Sequence, residues 1–214
     1  PMALICGILA VYILYFFRDP ARKAPNFPNG LISPADGKIV SVEEVDNEQM
    51  PGGRALRIAI FLSIFNVHVQ RASFDGRVID VKRNPGKFLN ALNDKCSEEN
   101  EQVTIWLKEG KLTYGIRQIA GLIARRIVCN VKVGDHLKRG QRYGIIQFGS
   151  RVELYMPVGS EVRVQPGQKV RGGETCLAVW DESMLTDENK GRFIYSNETD
   201  PDSDAPGSSE IAPA

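Results

Sequence analysis

Gly149-Ser150 is the pair of residues with the most specific chemistry in this sequence, because a serine at a strand entrance can attack the peptide bond that precedes it. The serine hydroxyl would take the acyl group of Gly149 in an N-to-O shift. Glycine suits that position because it lacks a Cβ and tolerates strained backbone. Elimination from the resulting ester would leave a pyruvoyl group on the new N-terminus. Taken alone, Gly-Ser is a common turn dipeptide, so this interpretation needs support from other residues.

Two further segments supply residues that could activate the serine. Asp36 lies in a turn rich in Pro and Gly just before a predicted strand, and His68 lies in the apolar segment Phe61 to Arg71. Ser, His and Asp form activated-nucleophile triads, in which the imidazole removes the serine proton and the carboxylate orients the imidazole. Each residue also has a plainer interpretation, as a turn former for Asp36 and as a buried core residue for His68. Together with Gly149-Ser150, the combination favours the triad.

Five segments in combination resemble the short form of phosphatidylserine decarboxylase, over about Tyr15 to about Trp180. They are Phe16 to Pro20, Ser33 to Ile39, Phe61 to Arg71, Gly86 to Asn90 and Phe148 to Pro157. The resemblance implies a proenzyme that cleaves itself between Gly149 and Ser150. The β chain would be residues 1–149 and the α chain the remaining 65 (214 − 149). The resemblance further implies that phosphatidylserine, a phospholipid, is decarboxylated to phosphatidylethanolamine.

The same resemblance assigns roles to individual residues. Asp36, His68 and Ser150 would form the self-cleavage triad, and Ser150 would become the pyruvoyl (pyruvate) cofactor that condenses with the substrate amine as a Schiff base, with no metal required. Many family members carry a second histidine three positions after the first, and Arg71 stands there in this chain. His68 would therefore serve both maturation and the later protonation of the product. Arg71 and Lys95 are predicted contacts of the substrate phosphate.

Composition limits the other classes of function. The chain has 214 residues, enough for one sizeable core, and 27 Lys+Arg against 26 Asp+Glu give no general basic field for nucleic acid. Its four cysteines are widely spaced without a CxxC pair, which indicates a reduced compartment and argues against a zinc site. A zinc hydrolase is further disfavoured because such sites typically use several histidines and this chain has 2.

The N-terminal segment predicts a membrane anchor over residues 1–20. Met2 to Phe17 is uncharged and apolar over 16 residues, slightly less than the roughly 20 that a transmembrane helix needs. The basic residues Arg18, Arg22 and Lys23 come after it, an order typical of an anchor with its catalytic domain on the cytoplasmic face of the cell membrane. A buried core helix is the other interpretation. A start at Pro1-Met2 fits either a mature product or a fragment.

Residues 21–180 are predicted to form one mainly β (α+β) catalytic domain, and the acidic tail 181–214 is predicted to be largely disordered. Weak helical patterns occur at Phe88–Leu92 and Ile119–Cys129. The predicted strands are Lys38–Val42, Arg54–Leu62, Arg77–Lys82, Gln102–Leu107, Lys111–Ile116, Arg142–Phe148 and Arg151–Met156. In the last of these, Val152, Leu154 and Met156 face one way and Arg151, Glu153 and Tyr155 the other.

A faint internal repeat indicates the architecture. Gly134 to Gly140 is echoed 33 positions later by Gly167 to Gly173, and such Gly-bounded turns between β segments resemble the barrel-sandwich hybrid of lipoyl carriers. That fold serves unrelated activities. The alternative function is therefore a membrane-anchored, noncatalytic carrier or interaction module, which predicts an uncleaved chain. The decarboxylase interpretation instead predicts paired α and β chains, assembled further as a homo-oligomer.

Overall fold

The computed structural model describes residues 2–92, 96–122, 126–147 and 149–181, together with the backbone of Ile194–Tyr195. The chain begins with α1 (Met2–Phe16), whose side chains are exposed except at Tyr12, which is half-buried, and Phe16, which is buried. Among the described residues no helix combines the length and the apolarity needed to cross a bilayer. A second, four-residue helix, α2 (Cys96–Glu99), lies between the strands.

The rest of the described chain is mainly β, as the sequence predicts. The strands are β1 (Gly30–Ile32), β2 (Gly37–Asp46), β3 (Arg54–Leu62), β4 (Val69–Arg71), β5 (Gly76–Asn84), β6 (Gln102–Glu109), β7 (Leu112–Ala120), β8 (Ile127–Cys129), β9 (His136–Leu137), β10 (Arg142–Ile146), β11 (Ser150–Met156), β12 (Glu161–Val162), β13 (Lys169–Val170), β14 (Cys176–Val179) and β15 (Ile194–Tyr195).

Eight strands form the main sheet, in the order β13-β2-β3-β11-β7-β6-β5-β9. β11 lies at its centre, antiparallel to β3 on one side and β7 on the other, with Ser150 opposite Leu62 and Ala120. The described residues also form two smaller sheets, β1-β14-β12-β15 and β4-β10-β8. The main cluster of buried apolar side chains draws on all three sheets, from Leu31 in β1 to Ile146 in β10 and Val152 in β11. The first residue of β11 is therefore paired with a neighbouring strand on both sides.

The faint internal repeat corresponds to real structural equivalence. Each copy contains a two-residue strand, β9 or β13, and these two strands occupy the opposite edges of the main sheet. The bounding glycines Gly134, Gly140, Gly167 and Gly173 all have φ between +79° and +98°. This left-handed backbone is accessible to glycine without the strain that a Cβ would cause.

All seven predicted strands are confirmed, with shifts of up to four residues at their ends. Both predicted helices are wrong. In the first, the backbone N and O of Leu89 bond to the side chain of Asn100 at 2.8 and 2.9 Å, so this backbone is satisfied without a helix. In the second, Ile119 and Ala120 continue β7, and Ile127–Cys129 forms β8 against β10. Tertiary pairing overrides the weak local preference there.

The predicted tail 181–214 lies outside the described residues except for Asp181 and β15. β15 runs parallel to β12 at the edge of its small sheet.

Candidate active site

The Gly149-Ser150 pair lies where β11 begins, as the sequence predicts. Gly149 has φ +62°, in the left-handed region that favours glycine. Ser150 is fully buried, and its Oγ has no hydrogen-bond partner in the described part of the chain. A buried hydroxyl without a partner costs about 1–3 kcal/mol, so this placement is not explained by stability. It leaves the hydroxyl free for chemistry.

The carbonyl of Gly149, which Ser150 would attack, lies against Gly121. A Cβ built on Gly121 would fall 2.3 Å from that carbonyl oxygen. Gly121 follows directly after β7, whose last residue, Ala120, pairs with Ser150. Sequence reasoning missed this residue, because a glycine after a strand usually indicates only a turn. Only the pairing of β7 with β11 brings it to the predicted cleavage site.

His68 is brought to the Gly149-Ser150 pair by the loop between β3 and β4. Its ring is fully buried, and Nε2 accepts a hydrogen bond from the Gly149 N–H at 3.3 Å. Nδ1 lies 2.9 Å from the carbonyl oxygen of Asn66, which can only accept, so Nδ1 carries the proton. The loop is closed by the Asn66 side chain, whose Oδ1 accepts from the Ser63 N and Oγ at 2.9 and 2.8 Å. The Nε2 lone pair is therefore directed at the Gly149-Ser150 pair.

The imidazole of His68 is held neutral. Burial lowers the pKa of His68 to about 4, with a further lowering by the charge of Arg18; the hydrogen bond to Asn66 and the charge of Asp36 act in the opposite direction. At neutral pH the ring is therefore an unprotonated base, the state that proton abstraction from a serine requires.

The helix α1 contacts this histidine through its last residue. The ring of Phe16 is fully buried and lies 4.4 Å from the imidazole centroid at an interplanar angle of 34°. Arg18 donates to the carbonyl of Phe65 at 2.7 Å, in the same loop that carries His68. The N-terminal segment is thus part of the wall of the site.

Asp36 is near the site but is engaged elsewhere in this structure. Its Oδ2 accepts from Arg22 at 2.9 Å and its Oδ1 accepts from the Gly172 N–H at 2.7 Å. No hydrogen bond joins Asp36 to His68 within the described residues, and Asn66 takes the position on Nδ1 that a triad carboxylate would occupy. The structure therefore brings His68 to Gly149-Ser150, while Asp36 acts on His68 through its charge.

The two predicted phosphate contacts have different outcomes. Arg71 is buried, and its guanidinium donates to Asp19 at 2.9 Å and to the backbone carbonyls of Gly140 and Pro20 at 3.1 and 3.2 Å. Its charge thus serves to fasten the segment after α1 to β4. Lys95 lies outside the described residues, and substrate binding by either residue stays a prediction.

A second buried polar group on β11 was not identified from the sequence. The alternation of β11 is confirmed, because Val152, Leu154 and Met156 enter the main core and Tyr155 packs in a separate cluster. However, Glu153 on the second face is fully buried. It accepts from Ser97 at 2.7 Å and Tyr155 at 2.6 Å. Three arginines surround it, with nitrogen to oxygen distances of 3.0 Å for Arg151, 3.6 Å for Arg57 and 3.7 Å for Arg117. Opposite charges and hydrogen bonds together allow a carboxylate to be buried there.

Comparison with known proteins shows the family of this chain. The sequence profile of the family described as "Phosphatidylserine decarboxylase" matches residues 9–178. The chain is 49% identical over 183 residues to a phosphatidylserine decarboxylase proenzyme of Cupriavidus pinatubonensis, covering 84% of this chain and 83% of that protein. Identity to the proenzyme of Burkholderia vietnamiensis is 49% over 173 residues, 80% of each chain. The Cupriavidus metallidurans proenzyme is 46% identical over 182 residues, 84% of this chain and 83% of that one. The profile match and these identities over most of both chains establish that this chain belongs to the phosphatidylserine decarboxylases, a family of carboxy-lyases.

Proposed function

We propose that this chain is a proenzyme that cleaves itself between Gly149 and Ser150 and then converts phosphatidylserine to phosphatidylethanolamine with a pyruvoyl group derived from Ser150. The observation that carries the proposal is the buried, unpartnered Ser150 Oγ beside a neutral histidine whose Nε2 already contacts Gly149. Membership of a family whose relatives are named proenzymes supports it.

In the proposed self-cleavage three groups take part. Nε2 of His68 takes the Ser150 Oγ proton, and Oγ attacks the Gly149 carbonyl carbon held against Gly121. The C–N bond breaks, the Ser150 nitrogen takes a proton, and an ester joins the two residues. Removal of the Ser150 Cα proton then expels the Gly149 carboxylate. Addition of water and loss of ammonia convert the remaining residue to the pyruvoyl group.

The site fits such a group because the position of Ser150 is enclosed between β3 and β7 and is fully buried. A pyruvoyl carbonyl supplies an electron sink for the loss of carbon dioxide, as pyridoxal phosphate does in other enzymes. The protein's own contribution is to exclude water and to hold a proton carrier near the reacting carbon. His68 is the residue for that second task, because Arg71, at the position of the family's second histidine, carries a permanent charge bound to Asp19.

The exposed apolar surface of α1 supports a membrane-bound substrate. Leu4, Ile8, Val11 and Leu14 are between 63% and 76% exposed, and Phe65, in the His68 loop, is 63% exposed. We infer that α1 and Phe65 engage the cytoplasmic face of the cell membrane and place the site beside the lipid head groups. The two small sheets and the repeated edge strands support assignment of the catalytic domain to the barrel-sandwich-hybrid class.

Synthesis in a purified translation system tests the proposal. The wild-type chain should separate into two fragments without any protease, and the smaller fragment should be blocked to Edman sequencing. Ser150→Ala removes the nucleophile and should remain a single 23.7 kDa chain. A wild-type chain that also remained whole would reject the proposal in favour of the noncatalytic carrier.

A further inference from the structure

Two buried glutamines lie beside the proposed site and have no part in the self-cleavage chemistry. Gln70 on β4 and Gln118 on β7 are both fully buried. Gln118 is paired with Val152 across β7 and β11, and Ala120 is paired with Ser150. Directly opposed residues share a face of the sheet, and residues two apart on a strand share it too. The side chains of Gln118 and Ser150 therefore project from the same face as close neighbours.

The direction of the hydrogen bonds between these amides is set by the backbone of His68. Its carbonyl oxygen accepts from Gln70 Nε2 at 2.8 Å, so Gln70 turns its Oε1 towards Gln118. Gln118 must then present its Nε2, which donates to Gln70 Oε1 at 3.0 Å and lies 3.5 Å from the carbonyl of Val128. Both of these partner atoms are oxygens that can only accept a hydrogen bond. The Gln118 amide must therefore turn its Nε2 towards them.

The remaining polar atom of the Gln118 amide is its Oε1. It has no hydrogen-bond partner within the described part of the chain, and neither has Ser150 Oγ. A buried acceptor without a partner is unusual and calls for a functional or structural cause. Two such atoms on one face of the sheet, next to His68, indicate a place for a polar group that the protein itself does not supply.

We propose that Gln118 positions the substrate by accepting a hydrogen bond from the amino group of the serine head group; this role rests on the proposed function. Its free oxygen can only accept, so it selects a donor. The phosphate and carboxylate of the head group are acceptors, whereas the amine is a donor. The amine is therefore the group that Gln118 holds, and it is the group that must approach residue 150.

Matched variants of two buried glutamines test this role. Gln118→Met keeps the side-chain length and removes the acceptor, and Gln118→Leu does so with different packing. The control is Gln102→Met, because Gln102 also has an unpartnered buried Oε1. Gln102 is opposite Ile119, which is opposite Arg151, so it lies on the other face of the sheet from Ser150.

The measurement is the extent of reductive amination of the matured α chain, in which an amine is joined to the carbonyl carbon of residue 150. Each full-length variant self-cleaves and is then incubated with glycerophosphoserine and sodium cyanoborohydride. The amine nitrogen bonds to the carbonyl carbon of residue 150, cyanoborohydride supplies hydride, and the carbonyl oxygen leaves as water. Intact mass gives the joined fraction at each glycerophosphoserine concentration.

For both Gln118 variants we expect complete self-cleavage, an unchanged maximum joined fraction, and a half-saturating concentration raised about tenfold to a hundredfold, as for the loss of one hydrogen bond to a charged group. Gln102→Met should match the wild type. This role alone would be overturned by any of three results. The Gln118 variants could keep the wild-type half-saturating concentration, or Gln102→Met could raise that concentration equally. Self-cleavage could also be blocked in both Gln118 variants. A wild-type chain that neither cleaves nor joins the amine would overturn the proposed function, and this role with it.

Discussion

Gly121→Ala should slow self-cleavage, because it places a methyl group against the carbonyl of Gly149. The added Cβ would lie 2.3 Å from the Gly149 carbonyl oxygen, whereas ordinary contact begins at 3.4 Å. One of the two groups must therefore move by about 1 Å (3.4 − 2.3). The carbonyl is the group that Ser150 would attack, and it belongs to Gly149, a glycine whose backbone can adjust, so we expect the carbonyl to move.

The size of the effect follows from that displacement. Misplacing a reacting group by about 1 Å costs on the order of 10²-fold in rate. The self-cleavage of Gly121→Ala should therefore be slower by roughly two orders of magnitude. The Ser150 hydroxyl and the His68 imidazole remain present, so cleavage should be slow and not absent.

Gly115→Ala provides the matched control. Gly115 is on β7, the strand that Gly121 directly follows, but it is paired with Tyr155 at the other end of β11, and its added Cβ would meet the Trp106 ring at 2.6 Å. Both variants should lose stability, measured by thermal unfolding, but only Gly121→Ala should lose cleavage rate, measured by intact mass during cell-free synthesis. Equal slowing in both variants, or wild-type cleavage in Gly121→Ala, would show that the carbonyl contact does not set the reaction geometry.

The remaining predictions concern the histidine and its surroundings. Since the neutral imidazole is the base and burial lowers the pKa of His68 to about 4, the cleavage rate should be constant from pH 8 to about 5 and fall only near pH 4; a midpoint near the ordinary value of about 6.5 would contradict the burial. A chain that starts at Ala21 lacks Phe16 and should lose most flotation with liposomes and also cleave more slowly; an unchanged rate would show that the ring contact is dispensable. Asp36→Asn keeps an acceptor for Gly172 but removes the negative charge that favours protonation of His68, so cleavage should slow, by less than the loss of a carboxylate bonded directly to the imidazole would cause; a normal rate would restrict Asp36 to its contacts with Arg22 and Gly172.

Local patterns were sufficient to predict the strands that form the site. β3 was predicted at its observed bounds, and β11 was predicted from an alternation that the structure reproduces. Period-two alternation and turn residues are short-range signals, so they survive in a single sequence. The Gly-bounded repeat was recognisable for the same reason, because a left-handed turn requires glycine wherever it occurs.

The burial of the second face of β11 could not be predicted from the same pattern. Arg151, Glu153 and Tyr155 form a polar stripe, which usually indicates a solvent-facing surface. In the structure α2 supplies Ser97 to Glu153, and arginines from β3 and β7 supply the countercharge. These partners lie 36 to 96 residues away in the chain, beyond the range of any local pattern.

The sequence by itself determined the chemical groups: a Gly-Ser bond at a strand entrance, one histidine in an apolar segment and an acid in a turn. Tertiary structure decided how they are related. Strand pairing placed Gly121 against the carbonyl of Gly149 and Gln118 beside Ser150. Burial made His68 a neutral base, and Asp36 accepts hydrogen bonds from Arg22 and Gly172 instead of from His68. Residue types carry reactivity, but distances, desolvation and hydrogen-bond partners depend on segments far apart in the chain, and only folding brings those together.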